Sequence, residues 1–491
     1  MTIPPDLPDP GWRFDNSYAR LPGDLFTPTR PVAVRAPRLV WLNRPLAADL
    51  SLDPDALAAG AAAWLSGNTP PAGAEPIAQA YAGHQYGHFT NLGDGRAILL
   101  GEQISPSGTR RDIQLKGAGR TPYSRSGDGR AALGPMLREA IVGEAMHALG
   151  IPTTRALAVV ATGEAVYRER PLAGAILTRV AASHLRVGTF QFAAALGRRD
   201  LLEALLCHAI ARHDPDLAGT EDAALRFLER VLARQAALVA RWMAVGFVHG
   251  VMNTDNMAVS GETIDYGPCA FVDAWDPDAV YSSIDGQGRY RLSRQPSIAL
   301  WNLARLAEAL LPLLSPDEAT AIEKANAILT TFDGLYEGHR LALFRAKLGL
   351  VDAEEGDGSL VARCLGSLHA DGADYTAALA RLGTLALPGD TPATIASGAF
   401  AEWLVEWRAR LARQPGGAAA ALPVLARSNP AIIPRNHRVE EALAAAAIGD
   451  MEPCEHLLAA VSRPFAPRPE DEPFRHGPPP GSGCYRTFCG T

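Results

Sequence analysis

The feature that most constrains the fold is the segment His249-Gly250-Val251-Met252-Asn253-Thr254-Asp255-Asn256, which is followed nine residues after its end by Asp265-Tyr266-Gly267. A long amphipathic stretch, residues 223–245, is nearly free of helix breakers and leads directly into this segment. We therefore expect a helix that delivers the chain into a polar loop. The side-chain oxygens of an Asn and an Asp in such a loop suit a hard divalent cation.

The spacing resembles the catalytic and metal-binding loops of protein kinases, in which H-R-D-L-x-x-x-N is followed by D-F-G. Asn256 stands at the Asn position and Asp265 at the metal-binding Asp position, but Val251 replaces the proton-accepting Asp. A carboxylate reappears at Asp255, directly beside Asn256. The pattern predicts that the chain holds a metal-bound nucleotide but exposes a different phosphorus to attack.

Length and composition are those of a large globular protein. The 491 residues, with 47% hydrophobic and 20% charged side chains, can form two or three domains or one two-lobed enzyme. A net charge of −7 argues against a nucleic-acid binder, and the chain has no run of eighteen apolar residues that would predict a membrane span. Residues 1–9 have neither the basic start nor the apolar centre of a signal peptide, so we expect the cytoplasm.

The order of periodic segments predicts an α+β, protein-kinase-like fold with a β-rich first lobe and a helical second lobe. Alternating residues at 97–102 and 112–116, joined by the turn signal Ser105-Pro106-Ser107-Gly108, predict a hairpin. Further strands are expected at 156–160 and 174–180, and helices at 135–149, 199–212, 223–245, 296–314, 316–335 and 397–414.

We divide the chain into four parts. An N-terminal extension (1–75) packs on the kinase-like core, and an N-lobe (76–188) carries the nucleotide-binding loops. A helical C-lobe (189–462) carries the catalytic and metal loops. The tail (463–491) contains Cys and is rich in Pro, Gly and charge, so we expect it to be flexible.

The polar loop offers a metal site and a general base. Asn256 and Asp265 could bind Mg²⁺ or Mn²⁺ jointly with the phosphate oxygens of a nucleotide, although a turn Asn and a loop Asp are the alternative. Asp255 is the candidate base, with a second metal ligand or a helix cap as alternatives. His249 is expected to hold the loop by hydrogen bonds.

Three cations are candidates for phosphate binding. Lys116 ends an alternating strand, and Glu139 on the next helix could orient it as an ion pair. Arg179 closes a strand and Arg186 follows soon after. The alternative for each is a solvated surface charge. Together the three cations exceed what a γ-phosphate in transfer requires, and they suit a pyrophosphate leaving group better.

Two glycine-containing loops could approach the nucleotide. Gly93-Asp94-Gly95-Arg96 precedes a strand and resembles a shortened glycine loop, in which Arg96 stands where kinases have small residues. The second loop, residues 126–130, includes Asp128 and Gly129. Glycine permits close backbone approach to a ligand, but each loop could also be a plain turn.

Longer motifs resemble the selenoprotein O family, SelO, also called YdiU, of pseudokinase protein adenylyltransferases. The similarity extends along the whole chain. The motifs are FDNSYARLP (14–22), YAGHQYGHF (81–89), LGDGR (92–96), QLKG (114–117), YSR (123–125), HGVMNTDN (249–256) and IDYGP (264–268).

The resemblance implies a kinase-like fold that binds ATP flipped relative to kinases. It implies transfer of AMP to Ser, Thr or Tyr hydroxyls of proteins with release of pyrophosphate, and in some members transfer of UMP favoured by Mn²⁺. The roles it implies are Asp255 as base, Asn256 and Asp265 as metal ligands, Lys116, Arg179 and Arg186 as phosphate ligands with Glu139 orienting Lys116, and Gly93, Gly95, Arg96, Asp128 and Gly129 as nucleotide-site residues.

Many members of that family carry a selenocysteine or Cys near the C-terminus. Cys489, third from the end, matches this position, and Cys484 could be its partner. A redox-regulated thiol and an inert exposed thiol both remain open, because thiol reactivity depends on the local environment.

Two other functions are compatible with the same residues. One is a true phosphotransferase that uses Asp255 in place of the missing kinase base. The other is a nucleotide-sensing pseudokinase that binds partner proteins and catalyses nothing.

Overall fold

The structure is a computed structural model that describes residues 7–387, 398–479, 481–482 and 485–487. It is an α+β protein with a sheet-rich N-terminal part and a helical C-terminal part, as the sequence predicts. The strands are β1 Phe14–Asp15, β2 Phe26–Pro28, β3 Arg38–Leu42, β4 Ile77–Gln79, β5 Ala82–Gln85, β6 His88–Asn91, β7 Ala97–Ile104, β8 Arg110–Lys116, β9 Ala131–Ala132, β10 Arg155–Tyr167, β11 Pro171–Ala181, β12 Phe247–Val248 and β13 Ala270–Phe271.

The helices follow mainly after the sheet. They are α1 Arg44–Asp49, α2 Pro54–Trp64, α3 Leu133–Ala148, α4 Val187–Ala195, α5 Arg199–His213, α6 Ala223–Val245, α7 Gln295–Leu314, α8 Glu318–Leu329, α9 Phe332–Lys347, α10 Asp357–Ala370, α11 Tyr375–Ala380, α12 Leu382–Leu385, α13 Ala399–Arg413, α14 Gly417–Ser428, α15 Asn436–Ala447 and α16 Glu452–Val461. Short 3-10 turns add Tyr18–Arg20, Gly23–Leu25, Pro215–Leu217, Thr254–Asn256, Leu292–Arg294 and Pro469–Phe474.

The main sheet is antiparallel and runs in the order β2-β4-β7-β8-β11-β10-β3, with β1 paired to β7 and β9 to β11. The predicted hairpin is confirmed as β7 and β8, which lie at its centre. The strands expected at 156–160 and 174–180 are confirmed as parts of β10 and β11. The three strands of residues 1–75 are hydrogen-bonded into the same sheet. The small hairpin β5–β6 stands apart from it.

Both faces of the main sheet are covered, and the alternation of side chains along each strand decides which residue faces which layer. On β11, Ile176 belongs to the core that includes Leu57 of α2. The next residue, Leu177, belongs to the opposite core, together with Leu137 of α3 and Leu457 of α16. Helices from near the C-terminus therefore complete the layer that holds α3 against the sheet.

The helix predicted for 223–245 is confirmed as α6, whose buried residues form much of the helical core. It ends because Gly246 adopts the left-handed conformation (φ 67°). This turn sends the chain into β12 and the His249 loop. The site is therefore attached to a helix that is anchored in the helical core.

The single helix predicted for 316–335 is wrong, because the chain forms two helices, α8 and α9, in this region. The break falls at Thr330 and Thr331. Their hydroxyls donate to the carbonyls of Ala327 at 2.9 Å and Ile328 at 2.7 Å. Threonine hydroxyls that bond to preceding carbonyls compete with the helix ladder, which explains the interruption.

Among the described residues, the segment Leu292–Leu314 is long and apolar enough to cross a membrane by composition. Half of its most apolar window (50%) is buried inside the protein. Leu303, Leu306 and Leu310 of this segment belong to the helical core. Packing against neighbouring helices accounts for the apolar composition.

A buried lysine joins two helices of the C-terminal part. Lys347 at the end of α9 is 4% exposed, and its Nζ donates to the Ser428 carbonyl at 3.2 Å and to Asn429 Oδ1 at 3.3 Å. No carboxylate among the described residues lies within ion-pair distance of Lys347. Burial lowers the pKa of this ammonium from 10.5 to about 7.

We expect Lys347 to make the free energy of unfolding depend on pH in the neutral to alkaline range. Between about 7 and 10.5 the unfolded chain binds a proton that the folded protein lacks, so its contribution to stability rises as pH rises. The free energy of unfolding of the wild type relative to K347M should increase between about pH 6.5 and about pH 9, measured by urea denaturation. A difference that stays constant or falls would show that the folded lysine keeps its charge.

Candidate active site

A cleft of about 480 Å³ lies where the ends of β7 and β8 meet the loop that follows β12. The residues that the sequence predicted for nucleotide, base and metal all line this cleft. They are Gly93, Gly95, Arg96, Lys116, Asp128, Gly129, Arg179, Arg186, Asp255, Asn256 and Asp265. Glu139 lies behind the wall and contacts two of these side chains. The fold thus brings together residues from opposite ends of a span of more than 170 positions in the chain.

Four charged side chains, three of them buried, form an ion-pair cluster at the wall of the cleft. The expected ion pair is present, because Lys116 Nζ lies 2.7 Å from Glu139 Oε2. Glu139 Oε1 accepts a second hydrogen bond, at 2.7 Å, from Arg179 Nε. Asp265 Oδ1 accepts from Lys116 and, at 3.2 Å, from Arg179 Nη2. Each carboxylate therefore bridges the same two cations.

Asp265 is held in an unusual backbone conformation by this arrangement. Its φ is +68°, in the left-handed region that costs a non-glycine residue energy. Burial pushes the pKa of its carboxyl upward, but the charges of Lys116 and Arg179 hold it well below its ordinary value. The two neighbouring cations therefore favour the ionised form of Asp265.

Asp255 has the opposite environment. It lies on the turn Thr254–Asn256, is 9% exposed, and its Oδ1 has no hydrogen-bond partner among the described residues. Burial raises the pKa of this carboxyl to about 6, against the lowering effect of Arg186. A carboxylate with a raised pKa and a free oxygen in a cleft can accept a proton.

The loop around Asp255 is fixed by hydrogen bonds from His249 and Asn256. His249 Nε2 lies 3.0 Å from the Ile264 carbonyl, and its Nδ1 accepts from Val251 N at 3.4 Å. Asn256 Nδ2 donates to the Val251 carbonyl at 3.1 Å. These bonds confirm the expected structural role of His249. They join the loop to Ile264, which directly precedes Asp265.

The hairpin β5–β6 forms a second support for the same loop. His84 N donates to Thr254 Oγ1 at 2.7 Å, and Tyr86 N donates to Asn253 Oδ1 at 3.1 Å. Gly83 lies directly against the candidate base, because a Cβ at this position would be 2.2 Å from Asp255 Oδ1. Position 83 therefore requires glycine because of its contact with Asp255, and sequence periodicity does not reveal this contact.

Residue-level prediction missed the partners of Arg186. This side chain is 5% exposed, and its Cζ lies 4.2 Å from the centre of the Tyr81 ring. Its Nη1 lies 3.7 Å from Oδ1 of Asp94, a carboxylate that is 1% exposed. Nε and Nη1 of Arg186 make no hydrogen bond to any described residue. The position of Asp94 between Gly93 and Gly95 was a sequence signal for a functional residue. Its pairing with Arg186 was not predictable, because the two residues lie in distant segments of the chain.

The two glycine loops close the cleft at its outer side. Gly93 packs against Tyr123, because a Cβ at Gly93 would lie 2.4 Å from the ring. Asp128 accepts from Arg168 Nη1 at 2.8 Å and is exposed at the rim. The second loop is therefore tied to the β10–β11 turn, whereas the first is packed directly on the sheet.

The oxygen atoms present fit a magnesium-type cation. Asp265 Oδ1 is used by both cations, but its Oδ2 makes no hydrogen bond within the described residues, and 29% of the side chain is exposed. The amide nitrogen of Asn256 is committed to Val251, which leaves its carbonyl oxygen. The described part of the chain contains no cluster of three His, Cys, Asp or Glu side chains for a metal. Mg²⁺ does not need one, because it shares its ligands with substrate phosphates.

Cys484 and Cys489 lie outside the described residues, so the expectation of a reactive tail thiol stays a prediction. The tail does contact the body of the protein at Thr487, whose Oγ1 donates to the Pro268 carbonyl at 2.8 Å. Pro268 follows the Asp265 loop in the chain.

Comparison with known proteins agrees with the geometry. A family model described as protein adenylyltransferase SelO matches residues 11–462. Proteins named protein nucleotidyltransferase YdiU from Brevibacillus brevis and Geobacillus kaustophilus are each 56% identical over 485 residues, covering 98% of this chain and 98% and 100% of those proteins. The protein of the same name from Halalkalibacterium halodurans is 55% identical over 494 residues, with 100% of both chains covered.

These matches define a class, the protein nucleotidyltransferases, which act on a protein and a nucleotide. Within this class the chain belongs to the SelO family.

Gly83→Ala should impair nucleotidyl transfer without unfolding the protein. The added methyl group would displace the Asp255 carboxylate, and a shift of about 1 Å at a reacting group can reduce a rate about 100-fold. The measurement is the rate of transfer at saturating nucleotide, together with the melting temperature. Gly338→Ala, where an added Cβ meets nothing within 4 Å, is the matched control and should keep full activity. An active G83A enzyme would show that Asp255 needs no fixed position.

Proposed function

We propose that this protein transfers AMP from ATP to Ser, Thr or Tyr hydroxyl groups of other proteins and releases pyrophosphate. The observation that carries the proposal is the position of the free carboxylate. Val251, which cannot accept a proton, occupies the kinase base position, whereas Asp255 lines the same cleft and its buried Oδ1 has no hydrogen-bond partner among the described residues. A proton acceptor that has moved along the loop fits attack at a phosphorus other than the terminal one.

We also propose that the architecture is that of a two-lobed protein kinase. The sheet, α3 and the helices α15 and α16 that pack on α3 correspond to the N-lobe, and the helices α4 to α14 correspond to the C-lobe. The ion pair between Lys116 on β8 and Glu139 on α3 supports this correspondence, because a strand lysine paired to a helix glutamate is a feature of kinases. The cleft between sheet and helices is then the nucleotide site.

In the proposed reaction, Asp255 accepts the proton of the acceptor hydroxyl. The hydroxyl oxygen forms a bond to the α-phosphorus of ATP, and the bond from that phosphorus to the bridging oxygen of the β-phosphate breaks. The electron pair leaves with pyrophosphate, and AMP remains as a phosphodiester on the acceptor. The raised pKa of Asp255 suits a group that must take up a proton during the step.

The buried cations would bind the leaving pyrophosphate. Lys116 and Arg179 are 5% and 3% exposed and are already oriented by Glu139. Arg186 adds two nitrogen atoms that bond to no described residue. Guanidinium groups form paired hydrogen bonds with phosphate oxygens, and in a dry cleft these bonds stabilise developing charge strongly. The glycine loops with Arg96 and Asp128 would line the rest of the nucleotide.

Asn256 and Asp265 would hold Mg²⁺ or Mn²⁺, which when bound neutralises phosphate charge and aligns the phosphates. We also propose that with Mn²⁺ the same cleft uses UTP and transfers UMP. We place the reaction in the cytoplasm. The regulatory thiols would be Cys489 and Cys484 in the tail.

Two alternatives use the same cleft. A phosphotransferase would use Asp255 to direct the acceptor to the γ-phosphorus, and a nucleotide-sensing pseudokinase would bind partners without transfer. The number of buried cations favours nucleotidyl transfer. A leaving pyrophosphate carries more negative charge than a leaving ADP and needs more cations to neutralise it.

ATP labelled separately at the α- and γ-phosphorus distinguishes the three functions. The proposal predicts covalent label on protein from α-labelled ATP and none from γ-labelled ATP. Intact-mass analysis of the acceptor should then show added AMP. Covalent γ-label would establish the phosphotransferase, and absence of label from both, with ATP bound, would establish the pseudokinase.

Asp255→Asn should reduce AMP transfer about 100-fold to 10,000-fold, because the amide cannot accept the proton. Binding of ATP, measured by calorimetry, should change little, since Asp255 is not among the proposed phosphate ligands. Asp333→Asn on the exposed surface of α9 is the matched control and should retain wild-type transfer. Transfer at the wild-type rate in D255N would exclude Asp255 as the base.

A further inference from the structure

The hairpin β5–β6 carries a set of side chains that the proposed reaction does not use. Its inner side holds the catalytic loop, because Gly83 touches Asp255 and His84 N donates to Thr254. Its residues Gln85 and Tyr86 line the cleft. Anything bound along the outer side of this hairpin is therefore next to the point at which an acceptor hydroxyl must enter.

Along this outer side, aromatic rings meet edge to face, and two guanidinium groups lie over the last ring. The ring centres of Phe89 and His84 are 5.3 Å apart, and those of His84 and Trp301 are 5.2 Å apart. Arg289 and Arg305 each place Cζ 4.9 Å from the centre of the Trp301 ring. We call these five residues the Arg–aromatic ladder. Phe89, at one end, is 47% exposed although it is a large apolar residue.

The ladder carries an unbalanced positive charge. Arg305 is paired with Glu308 at 2.6 Å, but no carboxylate in the described ranges lies within 4.0 Å of the Arg289 guanidinium. This is notable in a protein whose net charge is −7. Arg289 also lies against the turn of the hairpin, since a Cβ at Gly87 would be 3.7 Å from its Cζ.

We propose that the Arg–aromatic ladder docks the segment of the acceptor protein that flanks the modified hydroxyl, and that it selects segments with an acidic residue. This proposal rests on the proposed function, because it assumes that a protein hydroxyl enters beside Asp255. The acidic residue would pair with Arg289, and an apolar or aromatic neighbour would pack on Phe89.

The dimensions of the ladder limit where the acidic residue can lie. An extended chain advances about 3.3 Å per residue, so the successive spacings of 5.3, 5.2 and 4.9 Å along the ladder correspond to about five residues of an extended segment. A guanidinium stacked on Trp is fixed in orientation and can form two parallel hydrogen bonds to one carboxylate. Lysine would not reproduce this contact, because its ammonium neither stacks flat nor presents two parallel donors.

The test uses two fluorescent peptides, each with a central Ser. In the first peptide the five residues on either side of the Ser are Asp, and in the second peptide they are Lys. Binding to the full-length protein is measured by anisotropy in the presence of a non-hydrolysable ATP analogue. The wild type should prefer the Asp peptide, and Arg289→Glu should weaken this binding about 10-fold and reverse the preference. Arg294→Glu, an exposed arginine nearby in the chain, is the matched control and should keep the wild-type preference.

A second readout separates docking from a purely structural role of the ladder. Affinity for the ATP analogue should be the same in the wild type and in R289E, because Arg289 does not line the cleft. If R289E fails to fold, Arg289→Ala should abolish the preference without reversing it. Equal binding of both peptides by the wild type, or an acidic preference that survives R289E, would overturn the proposal. So would a loss of preference in R294E as large as that in R289E.

The same peptides distinguish a failure of docking from a failure of the proposed function. A wild-type protein that binds the Asp peptide through Arg289 but adds no AMP to it supports the ladder and removes the transfer reaction. A protein that adds AMP equally to both peptides keeps the reaction and removes the ladder.

Discussion

The site depends on four paired charges, three of them buried, that join three separate parts of the chain. Lys116 ends a central strand, Glu139 lies on the helix behind it, Arg179 is on the adjacent strand, and Asp265 follows the His249 loop. Removing charges from water costs several kcal/mol each unless good geometry compensates, so loss of one partner would leave the others uncompensated. The ion pairs therefore fix the side chains of the sheet, α3 and the loop relative to one another, in addition to the hydrophobic packing of α3 against the sheet.

This cluster also separates the chemical roles of two carboxylates in one cleft. Asp265 contacts two cations, which keep its pKa low, whereas Asp255 is buried without a hydrogen-bonded cation and its pKa is raised. A permanently ionised carboxylate suits a cation ligand, and one that titrates near neutrality suits proton transfer. The charge of the neighbouring Arg186, which lies over the Tyr81 ring, lowers the pKa of Asp255 and so opposes the effect of burial. The assignments proposed for the two residues follow from these surroundings rather than from their residue type.

Local sequence patterns predicted several of the regular elements and the residues that line the cleft. The helix at 223–245 and the hairpin around residues 105–108 have strong periodicity and clear end signals, and both are present. The prediction of a single helix at 316–335 was wrong, because two threonine hydroxyls donate to carbonyls of the helix and interrupt it. In the sequence, this signal is weaker than the apolar pattern around it. Tyr81 and Asp94 were missed as partners of Arg186, because their contacts join segments about 100 residues apart.

The sequence by itself determined which chemical groups are available and in what order: a loop with Asp255 and Asn256 after a long helix, a strand lysine, and a displaced kinase-like motif. These are properties of short spacings, which the chain carries in any conformation. The tertiary structure alone decided which carboxylate is paired and which is free, and it placed Gly83 against Asp255 and Arg289 on Trp301. Charge state and contact depend on burial and on neighbours from distant segments, and these arise only when the sheet and helices pack together.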